Sequence, residues 1–198
     1  MTRAWRCSNC VRIRPLAAAV VYLALDTVVV IYTPSPAGVA WNWTGKLASI
    51  ALAVVAIAAL RLRRDEVGLV MPDKRCAVLI GIAIAFHAAM NALFATGEPT
   101  TLETVLFQAT MPGLAEELAY RGVAFALVRR AFDGASAPAI IITTLAFGLA
   151  HGFALLPFLF AAALGGWFAW IRTRSGSVLG CVIAHNAANV AGTLAATI

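Results

Sequence analysis

The chain has 198 residues, of which 62% are hydrophobic and only 12% charged, and its mean hydropathy is +0.87. A soluble domain is about 45–50% apolar and about 25% charged, so an ordinary water-soluble globule is excluded, while the length fits one domain over 1–198. The formal net charge of +6 does not point to nucleic acid, because the basic residues sit in short clusters between apolar runs and no nucleic-acid-binding motif is present.

A hydrocarbon core about 30 Å thick needs about 20 apolar helical residues. In chain order the sequence offers such stretches near 15–33, 44–60, 76–95, 107–130, 137–154, 156–171 and 177–197. The first follows Arg3, Arg6, Arg12 and Arg14 and is longer than the roughly 7–15 residues of a signal-peptide core, so it reads as a membrane helix rather than a leader. The sixth is short. Pro112 suits a first helical turn and disrupts an interior, so an elbow is expected near 111–113. If the stretch before it stands apart, it counts as an eighth, amphipathic or re-entrant, helix. The expected fold is all-α: a polytopic bundle of about seven, or eight, transmembrane helices forming a single integral membrane domain.

The basic residues orient this bundle. With the N-terminus in the cytoplasm, all of the 15 Lys and Arg residues except Lys46 and Arg121 fall in inside segments, as the positive-inside rule requires. The C-terminus is then outside, Trp41 and Trp43 belong to the outer aromatic belt, and Trp170 lies near the inner one. The alanine-rich, lysine-poor composition fits a GC-rich bacterial source and hence a bacterial inner membrane. Of the cysteines, Cys7 and Cys10 form a lone C-x-x-C without the second pair of a zinc ribbon, and no role is derived for it.

Ionisable groups inside a membrane are costly and mark functional cavities. The spans hold Asp26, His87, Glu116, Glu117, Arg121, His151 and His185. At 1.5 Å per residue from the inner boundary, Glu116 lies about 20 Å up, His151 about 21 Å, His185 about 12 Å and Asn189 about 18 Å. One buried polar site explains this shared layer. Glu117 and Arg121 are i,i+4 and can pair on one face, while Glu116, rotated by about 100°, points elsewhere. His185 and Asn189 also share a face, and Gly148 and Gly152 bracket His151 with the spacing that lets helices approach closely. His87, Asn91 and Asp26 read as structural residues, with His87 and Asn91 close enough in depth to line the same cavity. No H-E-x-x-H helix, G-x-S-x-G elbow or intramembrane aspartyl pair is present.

At these residues the sequence resembles the CPBP intramembrane proteases, which include type II CAAX prenyl endopeptidases and bacteriocin-processing or immunity proteins. The family motifs E-E-x-x-x-R, F-x-x-x-H and H-x-x-x-N correspond to Glu116-Glu117-Leu118-Ala119-Tyr120-Arg121, Phe147-Gly148-Leu149-Ala150-His151 and His185-Asn186-Ala187-Ala188-Asn189. Gly122 fits the usual R-G, and the stretch from Glu66 to Pro72 resembles a Gly-Leu segment often found before the third span. The motifs cover about 101–197.

The resemblance implies hydrolysis of a peptide bond in a membrane-associated, prenylated or CAAX-like, peptide or protein. Glu116 and His151 would activate water, His185 and Asn189 would donate to the oxyanion, Glu117 and Arg121 would brace the site, and Phe147 would pack beside it. No cofactor is needed for this scheme. One Glu and two His also resemble a catalytic zinc set with an open position, so zinc on Glu116, His151 and His185 stays open. A non-catalytic immunity or scaffold protein, or a proton or solute carrier, are rival classes. The family's prenyl proteases take substrates from the cytoplasmic side, whereas the depth count puts Glu116 and His151 nearer the outer leaflet.

Overall fold

The computed structural model describes residues 11–35, 37–74, 76–93, 95, 97 and 99–197. The lone C-x-x-C pair lies outside the described residues. Those described are helical, without strands, in the order α1 (Ile13–Tyr32), α2 (Trp43–Ala59), a single-turn α3 (Arg64–Val67), α4 (Cys76–Leu93), α5 (Leu102–Glu117), α6 (Phe125–Ala131), α7 (Ser136–Ala150), α8 (Leu155–Ser175) and α9 (Val178–Ala195). Lipid offers no partner to a free backbone N–H or C=O, so a membrane chain closes its hydrogen bonds within helices. Helices α1, α4, α8 and α9 are long and apolar enough to cross a membrane; α2 and α7 are apolar but shorter.

Three local readings change. The elbow near Pro112 does not form: α5 runs through it and continues by a π-helical segment (Leu118–Ala124) into α6, so the stretch before Pro112 is no separate helix. The backbone tolerates this because the Asn186 side chain accepts from Gly113 N–H at 2.8 Å, replacing support that the proline ring disturbs. The sixth stretch is not short, since α8 spans 21 residues. The paired glycines around His151 also differ in kind. Gly148 admits Phe158 of α8 at a close approach, whereas Gly152 lies beyond α7 at φ +125° with open space beside it.

The α5–π–α6 rod is the axis of the molecule, and residues 117–128 on it are all buried. One apolar cluster packs α1, α2 and α7 on it, with Tyr22, Ala53, Val123, Phe125 and Phe147 among its members. A second joins α4, α8 and α9 through Ala83, Phe168, Ile171 and Ala184. Large apolar side chains such as Val20, Leu25, Val78 and Leu159 face outward, as lipid contact demands.

The arginines gather at one end. Arg130 grips Glu66 with two hydrogen bonds of 2.8 and 2.7 Å and holds its carboxyl below the usual carboxylate range. Arg172 donates to Glu66 O at 2.7 Å and to Arg121 O at 3.1 Å. Its guanidinium fills the place where a Cβ on Gly68 would lie, and Gly68 takes φ +83°, a conformation glycine adopts without steric cost. Gly68 O accepts from Val178 N at 2.8 Å. The segment from Glu66 to Pro72 thus ties α8 and α9 to the rod.

At the other end Glu103 accepts from the Ala40 and Trp41 amides and from Trp43 Nε1, which holds its carboxyl below the usual range. Trp41 stacks on Phe107 with centroids 5.0 Å apart.

Candidate active site

The two motif glutamates sit where the rod changes from α to π geometry, and they diverge. Glu117 is fully buried and accepts from Arg121 Nη1 at 3.0 Å, with Arg121 equally buried. Arg121 Nη2 donates to Gly165 O at 2.7 Å, and its guanidinium lies 4.3 Å from the Phe147 ring centroid. Glu117 Oε1 also receives His185 Nδ1 at 2.8 Å. One carboxylate therefore joins the rod, α8 and α9, where its attraction to Arg121 offsets the desolvation both charges suffer.

Glu116 turns into a cavity of about 420 Å³ whose wall includes His151, His185, Asn189, Gln108, Phe147 and Phe168. Its Oε2 is buried without a hydrogen-bond partner. His151 Nε2 lies 3.8 Å away and His185 Nε2 3.9 Å away. Its Oε1 receives Lys46 Nζ at 2.6 Å. Sequence reasoning left Lys46 out of the intramembrane charges. The signal was present, because it is a lysine in the first turn of an apolar helix, but which way α2 turns is not written in α2.

The histidines are held at their far nitrogens. His151, at the C-cap of α7, meets Phe147 O with Nδ1 at 2.8 Å. A carbonyl only accepts, so that nitrogen carries the proton and neutral His151 presents a bare Nε2. The Phe147 ring packs against the imidazole with centroids 4.4 Å apart. His185 likewise gives its Nδ1 proton to Glu117, and its ring stacks on Phe168 at 4.9 Å. It donates at Nε2 only as the imidazolium.

Asn189 lines the same cavity and gives one N–H to Gln108 Oε1 at 3.0 Å, leaving its second free for another acceptor. Gln108 was not singled out from the sequence; no motif marks it. Glu116, His151, His185 and Asn189 are thus brought to one cavity, while Glu117, Arg121 and Phe147 support its wall.

His87 lines the cavity too, and Gly192 leaves the room that its ring occupies. Asn91 Nδ2 bonds back to His87 O at 2.9 Å and lies in the adjoining cavity. Asp26 accepts from Ser49 at 2.5 Å, joining α1 to α2.

The fit to zinc is divided. Bare Nε2 atoms with Nδ1 protons held by a carbonyl and a carboxylate are the tautomers a metal prefers. However, the Lys46 ammonium already occupies Glu116, and among the described residues no three His, Cys, Asp or Glu side chains are gathered as a metal site. As placed, Glu116 is engaged by Lys46 rather than standing as an open ligand.

Fold and site together define a helical membrane protein with a buried carboxylate–histidine centre. The family model described as Type II CAAX prenyl endopeptidase Rce1-like matches residues 98–191. Over this motif-bearing stretch, a little under half of the chain, the protein is similar to that endopeptidase family. No curated protein and no solved structure matches the chain.

Proposed function

We propose that this protein is a metal-free intramembrane endopeptidase in which Glu116 is the general base. The observation that carries the proposal is Glu116 Oε2, buried and unpartnered on a cavity wall between two imidazole nitrogens. A water donating over about 2.8 Å to each acceptor spans the gap from Oε2 to His151 Nε2. Glu116 takes one of its protons as the oxygen adds to the substrate carbonyl carbon. The oxyanion is met by Nε2–H of the His185 imidazolium and by the free N–H of Asn189. Collapse breaks the C–N bond and passes the proton from Glu116 to the leaving amine, giving a carboxylic acid and an amine.

The supporting groups follow from their contacts. Lys46 keeps Oε1 engaged so that Oε2 faces the water. Arg121 holds Glu117 in line with His185. The family match makes a membrane-associated peptide, prenylated or CAAX-like, the substrate class to test first. We place seven crossings in the bundle, counting the rod, α2 and α7, with the N-terminus in the cytoplasm of a bacterial inner membrane.

The test is cleavage of a panel of membrane peptides, prenylated and not, by purified wild type and Glu116→Gln in lipid, with and without a zinc chelator. General acid–base groups contribute about 10²–10⁴ in rate, and a loss of that size in the variant, with chelator-resistant wild-type activity, is expected. Activity abolished by chelator and restored by zinc sinks the metal-free scheme. Equal activity of both proteins, or cleavage by neither, sinks the protease.

A further inference from the structure

The cavity that holds Glu116 does not open toward the arginines. It shares Trp41, His87, Gln108 and Asn189 with a second cavity of about 430 Å³. That second cavity ends among Pro99, Thr100, Thr101 and Thr197, at the start of α5 and the end of α9. Its described lining carries no Lys, Arg, Asp or Glu, only hydroxyl, amide, imidazole and apolar groups. A side cavity of about 230 Å³ shares Lys46, Glu116 and His151 with the site and reaches Asp26, Ser49 and Tyr120, but its lining includes none of the arginine cluster. Residues 117–128 of the rod are buried throughout, and Arg172 plugs the π segment by its bond to Arg121 O. The surface depression among Arg12, Arg63, Glu66, Arg129 and Arg130 shares no lining residue with the site.

A third cavity, apolar and about 540 Å³, lies between the last turns of α4 and the first turns of α8. It adjoins the site through Phe160 and the second cavity through Asn91. Polar mouth and apolar flank therefore occupy the same half of the bundle, the half bearing Trp41 and Trp43 and remote from the arginine cluster. Basic clusters mark the cytoplasmic side.

We infer that the substrate is a polypeptide whose scissile bond lies at the extracytoplasmic end of its membrane segment, with the apolar segment against α4 and α8 and the polar continuation in the threonine-lined mouth. The inference rests on the protease reading for its chemistry and on the cavities for its side. It resolves the conflict between the depth of Glu116 and the cytoplasmic substrates of the prenyl proteases in favour of the depth.

Two measurements decide it. Single cysteines replace Thr101, Thr197 and, at the arginine end, Ala135, in a full-length chain whose Cys7, Cys10, Cys76 and Cys181 are replaced by serine. Intact cells are then treated with a membrane-impermeant maleimide. Labelling at 101 and 197 in intact cells, and at 135 only after lysis, is expected; the reverse pattern overturns the inference. Mass readout of the same substitutions in the parent background covers the case in which the cysteine-free chain does not fold.

Alongside, one membrane segment is inserted in both orientations, so that its cleavable flank faces out or in. Loss of the full-length band only for the outward form, abolished by Glu116→Gln, is expected. Cleavage of the inward form alone overturns the inference and leaves the protease standing. Cleavage of neither overturns the protease reading and the substrate with it, while the labelling still fixes the side of the mouth.

Discussion

Replacing Lys46 with methionine keeps much of the side chain's length and apolar stem but removes the ammonium bonded to Glu116. At 2.6 Å and an effective dielectric of about 20, unit charges attract by about 6 kcal/mol. Stranding one member of a buried pair costs about 3–5 kcal/mol. Both side chains keep some exposure, 15% and 16%, so the lower end applies, about 3 kcal/mol, or about 100-fold in kcat/KM at roughly 1.4 kcal/mol per decade. The loss should fall on kcat rather than KM, because Lys46 acts on the base and not on bound peptide. Lys46→Arg keeps the charge and should recover most of the rate, although its planar fork differs from an ammonium. The assay is peptide cleavage by purified protein in lipid, with thermal unfolding in detergent as a check on folding. A Lys46→Met enzyme within about threefold of wild type, beside an inactive Glu116→Gln, would refute the coupling of Lys46 to the base.

Arg121→Met leaves Glu117 buried without its guanidinium partner and should cost about 3–5 kcal/mol, read as a lower unfolding temperature in detergent. The double variant Glu117→Gln/Arg121→Met should recover part of that loss, and strict additivity of the two single effects would show that the pair is not coupled. Gly113→Ala would place a Cβ 2.3 Å from Asn186 Oδ1 and 2.9 Å from Val182 O, and overpacking of this kind costs about 1–3 kcal/mol; an unchanged melting curve would contradict the close α5–α9 approach. Glu66 titrates below its ordinary 4.5 because of Arg130, so the pair's contribution is present above that pH and is lost as the pH falls through the folded value. For a partly exposed pair this is up to about 1 kcal/mol. The acid side of the stability profile should therefore flatten in Glu66→Gln, and an unchanged profile counts against the pair.

How far the sequence reaches follows from what each feature depends on. Helix existence depends on local hydropathy, so α1, α4, α8 and α9 emerge close to the stretches that composition marks. The pairing of Glu117 with Arg121 depends only on one turn of helix and is readable from spacing. Lys46, Gln108 and the course of the chain at Pro112 depend instead on how helices rotate against one another. A helix apolar on nearly all sides carries little periodic signal of its own rotation. Lys46 could be counted as a loop charge until α2 was seen to turn it toward Glu116. Pro112 looked like an elbow because its own element shows a missing N–H, whereas the compensating group, Asn186, is supplied by α9 from 73 residues away.

The π segment carries the same lesson further. By taking more residues per turn than an α-helix, it changes the rotational phase of everything after Leu118, within a stretch, residues 117–128, that neighbouring helices bury without interruption. Both glutamates precede that change; Glu116 faces the cavity, while Glu117 pairs with Arg121 of the π segment inside the wall. Two adjacent glutamates thus acquire different surroundings, one sealed between Arg121 and His185, the other held at one oxygen by Lys46 and left free at the second. A base in a membrane needs both conditions at once: a fixed counter-charge to remain ionised and one uncommitted oxygen to receive a proton.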